Sequence, residues 1–264
     1  MERKRILVTG RVQGVGFRPT VHRLAVALEL TGFAWNDTRG VTIELQGSEE
    51  RIDEFVKRLT SSDKPPLARI ESCEVHDIPL RRGESGFVIS GSRSDGAVLS
   101  EVSADTAVCA DCLRELGDRG DFRHRYPFIN CTNCGPRYSI VKTIPYDRPN
   151  TTMSVFPMCE RCAGQYRDVT DRRFHAQPVA CPRCGPKVWL TDRVGNALTT
   201  DSDEAIAETA RLLRQGKILA IKGLGGFHLA CGAFDNDAVL ELRRRKRRDF
   251  KPFALMAASL EEVK

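Results

Sequence analysis

Three glycines within seven residues, Gly10, Gly14 and Gly16, run directly into Phe17, Arg18 and Pro19. Glycine lets a backbone turn its N–H groups inward, and the N-terminus of a following helix adds partial positive charge. The run Gly10-Arg11-Val12-Gln13-Gly14-Val15-Gly16-Phe17-Arg18 could therefore cradle a phosphate. Arg18 stands at the head of that helix, where its fork can grip two phosphoryl oxygens. Pro19 suits the first helical turn, in which a missing N–H costs nothing. The same residues also describe a tight strand-to-helix turn with a solvated arginine. Asn36, taken alone, reads as a turn asparagine after a strand.

A second chemistry lies in eight of the ten cysteines, which form four CxxC pairs: Cys109/Cys112, Cys131/Cys134, Cys159/Cys162 and Cys181/Cys184. An 18-residue spacer separates the pairs in each half, the halves repeat at an offset of 50, and each closes on Cys-Gly-Pro. Two CxxC knuckles supply the tetrahedral thiolate shell of structural zinc, so two Zn2+ sites are expected rather than disulfides or a redox motif. Four thiolates leave no open position for a catalytic water, which makes the sites structural and leaves His124 and His175 outside the ligand set. The equal spacers favour pairing within each half, with an interleaved arrangement left open.

The basic start Glu2-Arg3-Lys4-Arg5 is followed by too short an apolar run for a secretory signal, and no run reaches membrane-spanning length. The chain reads as cytoplasmic, with reduced thiols and no membrane partner. Its 264 residues predict two or three domains. The formal charge of +6 falls to about +2 once eight thiolates hold two zinc ions. A basic surface then argues little for nucleic acid. The alternative function is a zinc-ribbon nucleic-acid-binding protein with a non-catalytic ferredoxin-like domain. Against it, Phe122, Tyr126 and Phe128 lie where they would pack around the metal, and acidic residues alternate with the arginines.

The elements that must position these groups follow from periodicity. A strand over residues 5–9 precedes a helix with Val21, Leu24, Ala25 and Leu28 on one face. Strands are expected at 33–36 and 41–45, then a helix capped by Ser48 with the stripe Ile52, Phe55, Val56 and Leu59, then strands at 69–75 and 87–89. This β-α-β-β-α-β order is ferredoxin-like, and the fold class is α+β. Further on, a short strand over 188–191 and a linker through Asn196 precede a helix over 205–213 ended by Gly216. A buried strand at 218–221 leads to the Gly-rich turn 222–229, and a helix from Asp237 ends in Leu242-Arg243-Arg244-Arg245-Lys246-Arg247-Arg248. Phe253-Ala254-Leu255-Met256 reads as an interior strand, and Ser259 as the start of a helix. Too little chain remains after Asp201 for a core of its own, which predicts a fragment. Cys73 and Cys231 read as small buried apolar residues.

The string Gly10 to Arg18, with Thr31-Gly32-Phe33-Ala34-Trp35-Asn36-Asp37 and Gly40-Val41, resembles the two signatures of acylphosphatases in their order and separation. The resemblance implies phosphate binding by Gln13, Gly14, Val15, Gly16, Phe17 and Arg18, and an attacking water oriented by Asn36. An acyl phosphate is already activated, so such a site needs charge stabilisation and a placed water, without a metal or a covalent intermediate. Lys222 to Cys231, Leu242 to Arg248 and Lys251-Pro252-Phe253-Ala254-Leu255-Met256 resemble the start of a YrdC-type domain. Its Lys-x-Arg element falls on Lys246 and Arg248 and implies binding of ATP or carbamate; an acidic residue expected near Gly232-Ala233 is replaced. The three parts in this order resemble the N-terminal part of HypF-type carbamoyltransferases of NiFe hydrogenase maturation. The expected organisation is an acylphosphatase-like domain (1–91), a zinc-ribbon-like four-cysteine tandem (105–190) and an incomplete α/β YrdC-like segment (200–264). The resemblance implies hydrolysis of carbamoyl phosphate, ATP-dependent formation of a carbamoyl-adenylate, and transfer to the C-terminal cysteine of a partner protein for cyanide ligand synthesis.

Overall fold

Ile6 and Val8, fully buried, alternate with more exposed neighbours along β1 (Glu2–Arg11) and set one face of a sheet inward. The computed structural model describes residues 1–93, 103–223 and 226–264. They divide into two compact units, Met1–Pro186 and Lys187–Lys264.

In the first unit, β1 is followed by α1 (Phe17–Ala27), β2 (Thr31–Asn36), β3 (Gly40–Gly47), α2 (Glu49–Thr60), β4 (Arg69–Asp77) and β5 (Phe87–Ile89). The strands form one sheet in the order β4-β1-β3-β2-β5. β1 runs antiparallel to β3, with Ile6 opposite Ile43 and Val8 opposite Val41, while β5 adds to β2 in parallel. This is the expected β-α-β-β-α-β order. Both helices lie on one face, where Phe17, Val21 and Leu24 of α1 and Ile52, Phe55 and Leu59 of α2 bury against Ile6, Ile43 and Leu45. Each such side chain contributes about 1.5–3 kcal/mol. Leu28 sits just past α1, partly buried against this core. Ser48 occupies the N-cap position of α2, but its hydroxyl makes no capping bond, and only its carbonyl accepts the Ile52 N–H.

The cysteine-bearing part is poor in regular structure. Helix α3 (Ala110–Gly117) starts after Cys109, and α4 (Glu160–Arg167) after Cys159; the remainder is turns and single 3-10 turns. Its core is small: Cys112, Tyr126, Ile129, Cys131, Cys134, Met153 and Ala180 form a cluster separate from the core beneath the sheet.

The second unit holds a hairpin of β6 (Leu190–Thr191) and β7 (Ala197–Thr199), then α5 (Ser202–Arg214), a hairpin of β8 (Leu219–Lys222) and β9 (Phe227–Ala230), and α6 (Asn236–Lys246). The linker expected through Asn196 is therefore the turn of a hairpin. Asp201 caps α5 by accepting the Asp203 and Glu204 N–H groups at 2.9 and 3.0 Å.

Two expectations fail here. The strand expected to be buried at 218–221 is β8, whose Ala220, Ile221 and Lys222 are exposed, because among the described residues β9 is the one strand paired with it. Residues 253–256 form no strand. Leu255 and Met256 are 73% and 100% exposed, since no described strand offers them a ladder. Past Ser259 there is one 3-10 turn, Glu261–Val263. Part of the Gly-rich turn at 222–229, namely residues 224 and 225, lies outside the described residues.

Candidate functional site

The turn from β1 into α1 is left-handed at Gly14 (φ 73°) and Gly16 (φ 78°), as an inward-facing set of amides requires. Among the described residues, no protein acceptor takes the N–H groups of residues 13–18. Of these residues Gly14, Gly16, Phe17 and Arg18, at the positive end of α1, line a cavity of about 20 Å3 together with Asn36. Arg18 is held inside the fold at 7% exposure, contrary to a solvated arginine.

Asn36 ends β2 and faces the same cavity. It is 1% exposed, and its Oδ1 finds no hydrogen-bond partner. A buried acceptor without a donor is costly, and a water O–H aimed at it would relieve that cost. Gln13 braces the turn that follows: its Nε2 donates to the carbonyls of Asp37 and Gly40 at 2.7 and 2.9 Å. Asp37 closes that turn by accepting the Arg39 and Gly40 amides and the Thr42 hydroxyl. The Gln13 side chain is thus committed to scaffolding.

The cysteine-bearing part supplies the opposite wall. Gln13 Oε1 accepts the Tyr146 N–H at 2.9 Å, and a Cβ on Gly14 would stand 2.7 Å from Cβ of Pro136 and 2.9 Å from the Tyr146 ring. Glycine at 14 serves this close approach as well as the turn. Arg18 Nη2 donates to Asp147 Oδ1 at 2.8 Å and Nη1 to the Ser92 hydroxyl at 3.3 Å. His175 and Gln177 complete the wall. Burial, then the charge of Arg18, push the His175 imidazole down to about 4, so it faces the cavity neutral.

The sign gives a prediction. A histidine depressed in the folded state stabilises fully above its unfolded value near 6.5 and loses that contribution as pH falls toward 4. His175→Asn keeps the left-handed backbone (φ 55°) that asparagine tolerates. With zinc in the buffer, the variant should lose less urea resistance than the parent between about pH 6.5 and 5.5; parallel curves would contradict this.

The thiols fall into two groups within the repeats, Cys109, Cys112, Cys131 and Cys134, and Cys159, Cys162, Cys181 and Cys184, the sulfurs of each lying within 4.8 Å of one another. The interleaved arrangement is thereby ruled out. Sulfur–sulfur distances of 3.6, 3.9, 3.8 and 3.7 Å suit a tetrahedral ion, because a Zn–S bond of ~2.3 Å sets its sulfurs about 3.8 Å apart.

The repeats also lock reciprocally. Arg123, fully buried, donates to Cys162 Sγ at 3.3 Å and to the Ala180 carbonyl at 2.8 Å. Fifty residues on, Arg173 is 2% exposed and donates to the Asn130 carbonyl at 3.1 Å while reaching Cys112 Sγ at 3.9 Å. Arg172 reaches the same sulfur at 2.9 Å. Four thiolates around a divalent ion leave two negative charges, and each repeat sends the other the cations that balance them. Burial alone would raise the Glu115 carboxyl, but hydrogen bonds from Arg173 and Arg172 draw it down to about 2.

In the second unit, Lys246 is exposed at the end of α6. Arg248 is turned onto the Lys251 and Pro252 carbonyls at 3.3 and 3.1 Å, with its guanidinium 5.5 Å from the Phe253 ring. Tyr146, His175 and Gln177 in the cavity wall, and Asp147 on Arg18, were not among the expected site residues; no signature marks them, and the fold brings them to the loop.

Family models match in three places: acylphosphatase over residues 4–89, the HypF finger over 108–141 and 158–191, and a Sua5/YciO/YrdC model described as telomere recombination over 211–264. The carbamoyltransferase HypF of Rhodobacter capsulatus is 50% identical over 97% of this chain and 33% of its own length. An acylphosphatase of Caldivirga maquilingensis is 44% identical over 33% of this chain and 92% of its own length. A solved structure of full-length HypF in the phosphate- and nucleotide-bound form superposes with a TM-score of 0.89 at 48% identity, over 99% of this chain and 34% of that one. The chain thus spans about a third of the HypF relatives it matches. These matches, with Phe122 engaged beneath Arg161 and Arg123 at 3.6 and 4.1 Å and Tyr126 buried, favour the enzyme reading over nucleic-acid binding. Through residues 4–89 the chain belongs to the acylphosphatase family, and over nearly its whole length it belongs with the N-terminal third of the HypF-type carbamoyltransferases.

Proposed function

We propose that residues 1–91 hydrolyse carbamoyl phosphate to carbamate and phosphate, as the first step of a carbamoyltransferase. The observation that supports this is that one cavity is lined by Gly14, Gly16 and Phe17, whose N–H groups have no acceptor among the described residues, by Arg18, and by Asn36 with its unpartnered Oδ1. The amides and Arg18 would hold the phosphoryl oxygens and take up the charge that develops on them. Asn36 Oδ1 would accept from the attacking water and fix its approach. Gln13 keeps the turn carrying Asn36 in register with the loop.

In this reading the carbamate passes to the YrdC-like segment (200–264). Lys246 and Arg248 there bind ATP or the carbamate for adenylation, before transfer to the C-terminal cysteine of a hydrogenase maturation partner. Cys109, Cys112, Cys131 and Cys134, with Cys159, Cys162, Cys181 and Cys184, would hold two zinc ions that give the tandem (105–190) its fold and no reactive position.

The test is release of inorganic phosphate from carbamoyl phosphate by the zinc-loaded protein beside Asn36→Ala. Loss of the water-orienting acceptor should lower kcat by about 10–1000-fold with little change in KM, since the amide cradle is untouched. Equal kcat in the variant would remove Asn36 from the chemistry, and no phosphate release by the parent would remove the reading itself.

A further inference from the structure

Asp147 belongs to neither chemistry described above, yet its carboxylate lies on the cation of the phosphate site. Its placement is built in. Tyr146, 1% exposed, donates its N–H to Gln13 on one side. On the other, Arg148 is anchored by its backbone N–H on Gln177 Oε1 and by its guanidinium on the carbonyls of Gln177, Val179 and Phe156. Between these fixed neighbours Asp147 donates its own N–H to the Pro145 carbonyl and accepts the Asn150 N–H on its carbonyl. The backbone therefore aims the side chain at Arg18, which meets it at 2.8 Å with both partners mostly shielded, at 8% and 21% side-chain exposure.

The contact matters because of what else Arg18 must do. A phosphoryl group that enters this cavity meets Arg18 while Asp147 still holds it. A carboxylate left in place would face the incoming oxygens with like charge. The pair joins one carboxylate oxygen to one guanidinium nitrogen, whereas a phosphoryl group offers two oxygens to the fork and the loop amides besides.

We propose that Asp147 is a positioning residue that competes with phosphate for Arg18: it holds the guanidinium in the cradle, yields it to the phosphoryl group, and takes it back as product leaves. The inference rests on the reading of this loop as a phosphate site. The cost of displacing Asp147 falls on every bound phosphate, substrate or product, and reduces apparent affinity in proportion to the fraction of Arg18 that is free. The residue therefore trades tight binding for release of product.

The experiment measures binding of inorganic phosphate by calorimetry to the zinc-loaded chain, for the parent, Asp147→Asn and Arg18→Ala, with the KM and kcat for carbamoyl phosphate on the same samples. Asp147→Asn should bind phosphate about 10-fold more tightly, with a lower KM and a kcat that does not rise. Arg18→Ala should bind none. A merely structural role would weaken phosphate binding or leave it unchanged, and either result, with the parent binding phosphate, overturns the inference while the site reading stands. Absence of binding in both the parent and Asp147→Asn overturns the site reading and the inference with it. Should Asp147→Asn fail to fold, Asp147→Ser also lacks the carboxylate and gives the same comparison.

Discussion

Replacing Arg18 with alanine is expected to cut kcat/KM for carbamoyl phosphate by about 10^3-fold or more and to leave the sheet and its helices folded. Arg18 is the cation that reaches the cradle from the start of α1, at 7% exposure, where water screens its charge poorly. The loop amides remain in the variant, so ground-state phosphate contacts are thinned while the developing charge loses its main counterpart. The core under the sheet is built from Val21, Leu24, Ile43, Phe55 and similar residues that Arg18 does not support. Some stability is still lost, since Asp147 is left without its partner in a half-buried place. Arg18→Lys keeps the charge without the fork and should recover only part of the rate. Phosphate release, with circular dichroism on each variant, reads both halves of the prediction. Activity like the parent's in Arg18→Ala would sink the assignment of this loop.

Stripping zinc with a chelator at neutral pH should unfold the tandem and spare the first ninety or so residues. The tandem's cluster is made largely of cysteine, tyrosine and single aliphatic residues, with buried Arg123 and Arg173 in its midst. Structural zinc is worth about 10–16 kcal/mol per site, far more than such a core can offer. Without metal, the arginines would face thiols in place of charged thiolates, and the contacts that Cys112 and Cys162 accept would weaken together. Limited proteolysis should then cut between residues 105 and 186 while a piece ending near residue 90 resists, because its apolar cluster is independent. The cavity beside Arg18 should lose Tyr146 and His175 from its wall, and Arg18 its partner Asp147, in the same step. Survival of the whole first unit after full chelation would show that the cysteines do not hold it by metal.

What could be read without coordinates was local. The β-α-β-β-α-β order follows from period-two and period-3.6 patterns, and the two thiol groups from spacing that a CxxC turn imposes. Arg18 and Asn36 stand out through the resemblance to the acylphosphatase signatures, since the pattern alone equally describes a solvated arginine and a turn asparagine. The wall and the partner of Arg18 do not, since His175 and Asp147 reach the loop across more than a hundred residues of chain. Their partners are set by how the tandem docks on the sheet, not by neighbours in sequence. Residues 218–221 and 253–256 mislead in the opposite sense: their apolar composition suggests burial, yet Ala220, Ile221, Leu255 and Met256 are exposed. Gln13 shows a third limit. It lies inside the phosphate motif, yet its amide is spent on the Asp37 and Gly40 carbonyls and on Tyr146.

The exchange of arginines between the repeats changes what the duplication means. Here each half ends its own charge balance inside the other, so the pair behaves as a two-fold dimer whose protomers share one chain. Neither copy is a spare. Damage to one set of thiols reaches the other through Arg123 or Arg173, and both copies are tied to one fate.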